Sequence, residues 1–154
     1  LIEIDQGNKG RYEANAQKYI QQLESLDAWI KLQVATIPEA KRKLITNHDA
    51  LGYFARRYGF KIVGAAIPSA TTEAGDPSAK QTAQLLNIIK SSGVKAVFSE
   101  HMASAKLVQS LSKEAGVIVA PGLYTDALGV LGSEGETYIK MMRHNVAIFV
   151  EYLK

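Results

Sequence analysis

Four short runs rich in Val, Ile and Ala alternate with helical stretches, and this alternation limits the fold more than any other feature of the sequence. The runs are Lys43–Thr46, Lys61–Ile67, Val94–Phe98 and Val117–Ala120. Their apolar residues are mostly continuous rather than alternating, the pattern of strands covered on both faces. Helical signals separate them. Asp49–Tyr58 runs to Gly59, a residue suited to a left-handed helix end. Asp76-Pro77 offers a cap and a first-turn proline for a helix over Ser78–Ser91. Ala103–Ala115 ends at Gly116, and about Glu136–Leu153 carries Tyr138, Met141, Met142, Val146, Phe149, Val150 and Leu153 at helical spacing. Strands alternating with helices predict an α/β fold: a four-stranded parallel sheet flanked by helices, joined by right-handed crossovers.

Before the first strand, the turn-like Gly7-Asn8-Lys9-Gly10 gives way to Tyr12, Ala16, Tyr19, Leu23, Leu26 and Ile30, spaced by three and four. This predicts one long helix reaching about Thr36 and stopped by Pro38. About 25 helical residues span nearly 40 Å, long for 154 residues, so the helix is expected to reach beyond its own lobe as a connector. The expected division is a connecting helix over 1–38 and a lobe over 39–154.

Composition narrows the chemistry. There are no cysteines, which excludes disulfides, thiolate metal sites and thiol catalysis. Net charge is +3, with signs interspersed and no aromatic-rich basic stripe beside Lys41-Arg42-Lys43 or Arg56-Arg57; a solvated face is expected there, not a nucleic-acid contact. No apolar run approaches the roughly 20 residues of a membrane helix. Leu1-Ile2-Glu3-Ile4-Asp5 has no signal-peptide features and no initiator Met, so the sequence is expected to be mature, trimmed or a fragment.

Ligands of parallel α/β sheets bind beyond the carboxyl ends of the strands, so the residues that follow each run carry the functional question. They are Thr46-Asn47-His48-Asp49, Pro68-Ser69-Ala70-Thr71-Thr72-Glu73, Ser99-Glu100-His101 and Pro121-Gly122-Leu123-Tyr124-Thr125-Asp126. Taken singly, each has an ordinary reading. His48 could open a helix, Asp126 could cap a turn, Glu100 could accept N–H groups of a following helix, and His101 could lie on the surface. His144, beside the apolar stripe of the last helix, reads as a packing histidine. Together, imidazole and carboxylate without thiolate form the donor set of Zn²⁺ or Mn²⁺, although two or three donors leave such a site incomplete. Other chemistries lack their motifs: there is no phosphate-binding G-x-G-x-x-G or G-x-x-x-x-G-K-[ST] and no G-x-S-x-G elbow.

Longer matches carry a family likeness. Asn47-His48-Asp49-Ala50-Leu51-Gly52-Tyr53-Phe54, followed by Tyr58-Gly59-Phe60, resembles the H-D-A-x-G-Y-F…Y-G-[FL] motif of the periplasmic zinc/manganese-binding proteins of bacterial ABC importers. Val97-Phe98-Ser99-Glu100 is similar to that family's strand-end F-x-E, and Leu123-Tyr124-Thr125-Asp126-Ala127-Leu128-Gly129 to its T/S-D-A-x-G loop. Ser133-Glu134-Gly135, Thr137-Tyr138, Met141 and His144-Asn145 resemble the family's closing segment before the last helix. Tyr12, Asn15-Ala16, Tyr19, Leu23 and Leu26-Asp27 resemble its connecting helix.

The resemblance implies a two-lobed carrier, not an enzyme, located in the periplasm or otherwise outside the cytoplasm and membrane-associated in some relatives. It would capture Zn²⁺ or Mn²⁺ in the cleft between lobes and deliver it to an ABC permease. By motif match, His48 and Asp126 are metal ligands, and Glu100 is a neighbouring acid that orients a ligand. Coordination needs a neutral imidazole nitrogen and an ionised carboxylate. The family's amino-terminal lobe supplies two further histidines, and its sequence is missing here; the chain is expected to be the carboxyl-terminal lobe. A connecting helix without its partner lobe would expose apolar residues and favour a homodimer. Two other readings stay open at this stage: a flavodoxin-like binding or interaction domain without metal, and a small hydrolase using His48 with Glu100 or Asp126.

Overall fold

The computed structural model describes residues 1–48, 50–67, 79–100 and 112–154. Helix α1 spans Lys9–Ala35, the continuous helix that the three-and-four spacing predicts. Its apolar positions are buried only toward the carboxyl end, at Leu26, Ile30 and Val34. A turn through the buried Ile37 and the exposed Pro38 leads to strand β1, Lys43–His48. Helix α2, Gly52–Tyr58, follows and ends at Gly59, whose φ of 74° is the left-handed geometry that glycine adopts without a steric cost. Strand β2, Lys61–Ile67, helix α3, Ala79–Ser92, and strand β3, Ala96–Glu100, come next. A helical turn over 112–115 enters strand β4, Ile118–Leu123. Helix α4, Tyr138–Leu153, closes the chain and is capped by Thr137, whose hydroxyl accepts from the Lys140 N–H at 3.3 Å. The Asp76-Pro77 cap and positions 103–111 of the expected third helix lie outside the described residues.

Strand side chains alternate between two cores. Leu44, Ala96, Phe98 and Ala120 join α1, α2 and α4 in one cluster. Ile45 and Val97 join Leu85 and Ile89 of α3 in the other. The strands are therefore covered on both faces, as their continuous apolar runs require.

The strands do not form the single four-stranded sheet expected from the sequence. Two parallel pairs form instead, β1 with β2 and β3 with β4. β1 packs alongside β3, but no ladder joins them among the described residues. Each pair contains a register shift. Leu44 and Ile45 face Ile62 and Gly64, so Val63 is the extra residue of β2. Phe98 and Glu100 face Ala120 and Leu123, so β4 holds one residue more across Pro121-Gly122. Such bulges bend a strand and increase its twist, a local irregularity that does not favour a flat, continuous ladder across the seam. Pro121 lacks an N–H, and a bulged outer strand tolerates that loss.

Candidate functional site

His48 is the last residue of β1 and Glu100 the last of β3. Glu100 stands in register with Leu123, the last residue of β4. Asp126 follows three positions later in an exposed bend. The side chains of His48 and Glu100, together with Asp49, Thr71, Thr72, Glu73 and His101, lie outside what the structure describes. Among the described residues no three His, Asp or Glu side chains gather into a metal-binding cluster.

Two strand ends nevertheless open onto one feature. A groove of about 650 Å³ runs between α1, α2 and the start of α4. Ala50, two residues past His48, lines it, and so does Thr125, the neighbour of Asp126. Leu23, Tyr53, Phe54 and Tyr138 supply much of its apolar wall. A smaller recess of about 250 Å³ contains Asp126 itself, framed by Thr125, Leu128, Val130 and Ser133.

The segment that carries Asp126 is pinned at Tyr124. The Tyr124 N–H donates to Asn145 Oδ1 at 3.0 Å, and Asn145 Nδ2 donates to the Tyr124 carbonyl at 2.6 Å. Asn145 lies on α4 and is buried. Next to it, His144 Nε2 stands 3.3 Å from the Gly122 carbonyl, and its ring meets the Tyr124 ring edge-on at 5.2 Å. His144 is thus the packing histidine expected from the sequence. The Tyr124 ring also lies against Gly135, where any Cβ would come within 2.6 Å of ring carbons. The Gly129 N–H donates to the Gly135 carbonyl at 2.8 Å and closes the loop. Glu136 secures the same turn: its carboxylate accepts from the Gly132 N–H at 2.5 Å and pairs with Lys140 at 2.6 Å. Lys140 first, and the Gly132 N–H second, hold the Glu136 carboxyl below the usual carboxylate range.

On the other side of the groove, Asp27 of α1 ties down α2. Its carboxylate accepts from Arg57 Nε and from the Tyr58 hydroxyl, each at 2.8 Å, and pairs with Lys31 at 2.8 Å. These contacts, Arg57 foremost, hold the Asp27 carboxyl far below its ordinary value.

Neither anchor, Asn145 nor Asp27, stands out from its residue type. A signal for Asn145 was nevertheless present. It is a polar residue four positions after Met141 and four before Phe149, squarely on an apolar stripe, where burial demands partners.

Comparison with known proteins gives this geometry a context. The chain is 40% identical over 153 residues to a manganese-binding lipoprotein, MntA, of Halalkalibacterium halodurans, covering 99% of this chain and 50% of that protein. It is 34% identical over 158 residues to the zinc-binding protein TroA of Treponema pallidum, again covering 99% and 50%. The solved structure of the periplasmic zinc-binding protein TroA from Treponema pallidum superimposes with a TM-score of 0.87 at 30% identity, over 99% of this chain and 56% of that one. The chain therefore spans about half the length of the curated relatives it matches. The family model described as zinc-uptake complex component A, periplasmic, matches residues 1–152, and the chain belongs to that family.

Proposed function

We propose that these residues form the carboxyl-terminal lobe of an extracytoplasmic solute-binding protein that captures a divalent transition metal, Zn²⁺ or Mn²⁺, and delivers it to an ABC permease. The metal is cargo, and the protein performs no reaction on it. His48 and Asp126 are its ligands from this lobe, and Glu100 orients one of them. The remaining donors come from residues outside these 154. Residues 1–38 serve as the connecting unit and 39–154 as the lobe.

The observation that carries the reading is the shared groove, bordered by Ala50 just after β1 and by Thr125 just before Asp126, in a chain matched along nearly its whole length by a metal-uptake family. Crossover connections favour a parallel alignment of β1 with β3, which brings His48, Glu100 and the Asp126 loop to one edge. An imidazole and a carboxylate extended from such positions can close on one ion, whose bonds to nitrogen and oxygen are about 2.0–2.2 Å long. Relatives named for manganese, zinc and iron support a transition-metal cargo, and the imidazole of His48 suits zinc well while leaving manganese open.

Calorimetric titration of the full-length protein with Zn²⁺ and Mn²⁺ tests this. Tight binding is expected at full length and weak binding by the 154-residue chain. Asp126→Ala is expected to weaken full-length binding strongly. Equal affinity in the variant and the wild type would remove Asp126 from the site, and no binding at full length would bring forward a binding module without metal.

A further inference from the structure

We infer that Asn145 is a positioning residue for metal capture, acting on Asp126 through the backbone of Tyr124. The inference rests on the proposed role of Asp126 as a ligand.

Asn145 acts where β4 ends. Leu123, in register with Glu100, is the last residue of the strand. Tyr124 follows it, and its N–H and C=O need partners beyond the strand. Asn145 provides both at once, with its Oδ1 accepting at 3.0 Å and its Nδ2 donating at 2.6 Å. A side-chain amide is a peptide group in miniature, so Asn145 acts as one further rung past the strand end. Only one orientation of the amide satisfies both bonds, because the backbone N–H can only donate and the carbonyl can only accept. No other side chain of similar size offers that pair.

The rung is rigid because its surroundings are rigid. Asn145 is 3% exposed and sits between Met141 and Phe149 on the buried face of α4. The Tyr124 ring is held by His144 on one side and by Gly135 on another. Two residues further on, Asp126 is exposed. Its direction of departure from the fold is set at Tyr124, and the core holds Tyr124 through Asn145. A ligand already aimed loses less conformational freedom on coordination. Groups that orient metal ligands from outside the coordination sphere commonly matter to affinity by about 10- to 100-fold.

The test is a double-mutant cycle on the full-length protein, with Zn²⁺ and Mn²⁺ affinities and release rates measured well below the melting temperature. Asn145→Ala is expected to weaken binding about 10- to 100-fold, chiefly through faster release. Asn145→Ser keeps a small uncharged polar group that can bond only one of the two Tyr124 groups; it should fall between wild type and the alanine variant, and it stands in if the alanine variant does not fold. In an Asp126→Ala background, either substitution at 145 should change affinity little, because the residue it acts through is gone. Unchanged affinity in a folded Asn145 variant would overturn the inference. So would the same fold-loss with and without Asp126, since that marks a general loosening. If Asp126→Ala alone leaves affinity intact, the ligand assignment fails first, and the role of Asn145 fails with it.

Discussion

Helices α1 and α4 both carry apolar stripes and pack against each other, yet they hold the molecule together very differently. α1 has 27 residues and buries three side chains, all in its carboxyl-terminal half. α4 has 16 residues and buries six. Tyr19 and Ile20, in the amino-terminal half of α1, are nearly half exposed. Phe149 of α4 is fully buried, with ring centroids 5.4 Å from Phe54, 5.6 Å from Phe60 and 5.2 Å from Phe98. Helical periodicity fixes which side chains share a face. What lies opposite that face decides whether it becomes core. The strands and α2 lie opposite α4 along its length, whereas they meet α1 only from Leu26 onward.

The largest effect should come from the centre of that aromatic cluster. Phe149→Ala removes a buried ring that touches elements from three parts of the chain, and large-to-small aromatic changes cost about 3–5 kcal/mol. Denaturant unfolding should show that loss as a lower midpoint with little change of slope. A loss below about 1 kcal/mol would mean that the cluster is not the keystone its packing suggests.

A pair of changes within α1 divides the helix against itself. Ile30→Ala should cost about 2–5 kcal/mol, because Ile30 is 1% exposed. Leu32→Ala, two residues along the same helix but 69% exposed, should stay within about 0.5 kcal/mol. Equal effects would show that a partner surface covers the outer face of α1 in solution.

Much of this was legible in the sequence. The four strands, their two-sided burial, the continuous α1 and the glycine stop at Gly59 follow from apolar runs, spacing and one residue type. The ends of elements were less legible. β4 runs through Pro121-Gly122 to Leu123, although that pair reads as a stop, because a bulged outer strand can absorb both residues. α2 starts at Gly52, after Leu51, with no side-chain cap, so the polar signal at Asp49 suggests too early a start. The split of the sheet into two pairs was not legible, because no local pattern specifies a register shift between distant segments. At the strand ends, the positions of His48, Glu100 and Asp126 could be read from the motifs. Asn145 and Asp27 fall within the matched motifs as well, but the partners each one holds were not legible, because these depend on which distant backbone or side chain the fold brings to them.

The smallest effect sharpens the comparison where α1 changes character. Asp27 sits at the border between the free and the packed halves of that helix and ties it to α2 through Arg57 and Tyr58. Arg57 and Lys31 have side chains 60% exposed, so water and salt weaken the pairing, and Asp27→Asn should destabilise less than the core changes above. Its pH dependence is the more telling readout. Folding lowers the pKa of Asp27, through Arg57 first and then Lys31 and Tyr58. The folded state therefore gives up the proton more readily than the unfolded chain. The stabilisation is fully present above the ordinary carboxylate pKa, near about 4, and is lost as pH falls from there toward the depressed folded value. Thermal melts should thus show wild type above Asp27→Asn at pH 7, with the gap narrowing as pH is lowered through the acidic range. A gap that stayed constant or widened on acidification would mean that Asp27 holds α2 as a neutral hydrogen-bond acceptor. In that case the free half of α1 would be tied to the lobe by geometry alone, with no contribution from charge.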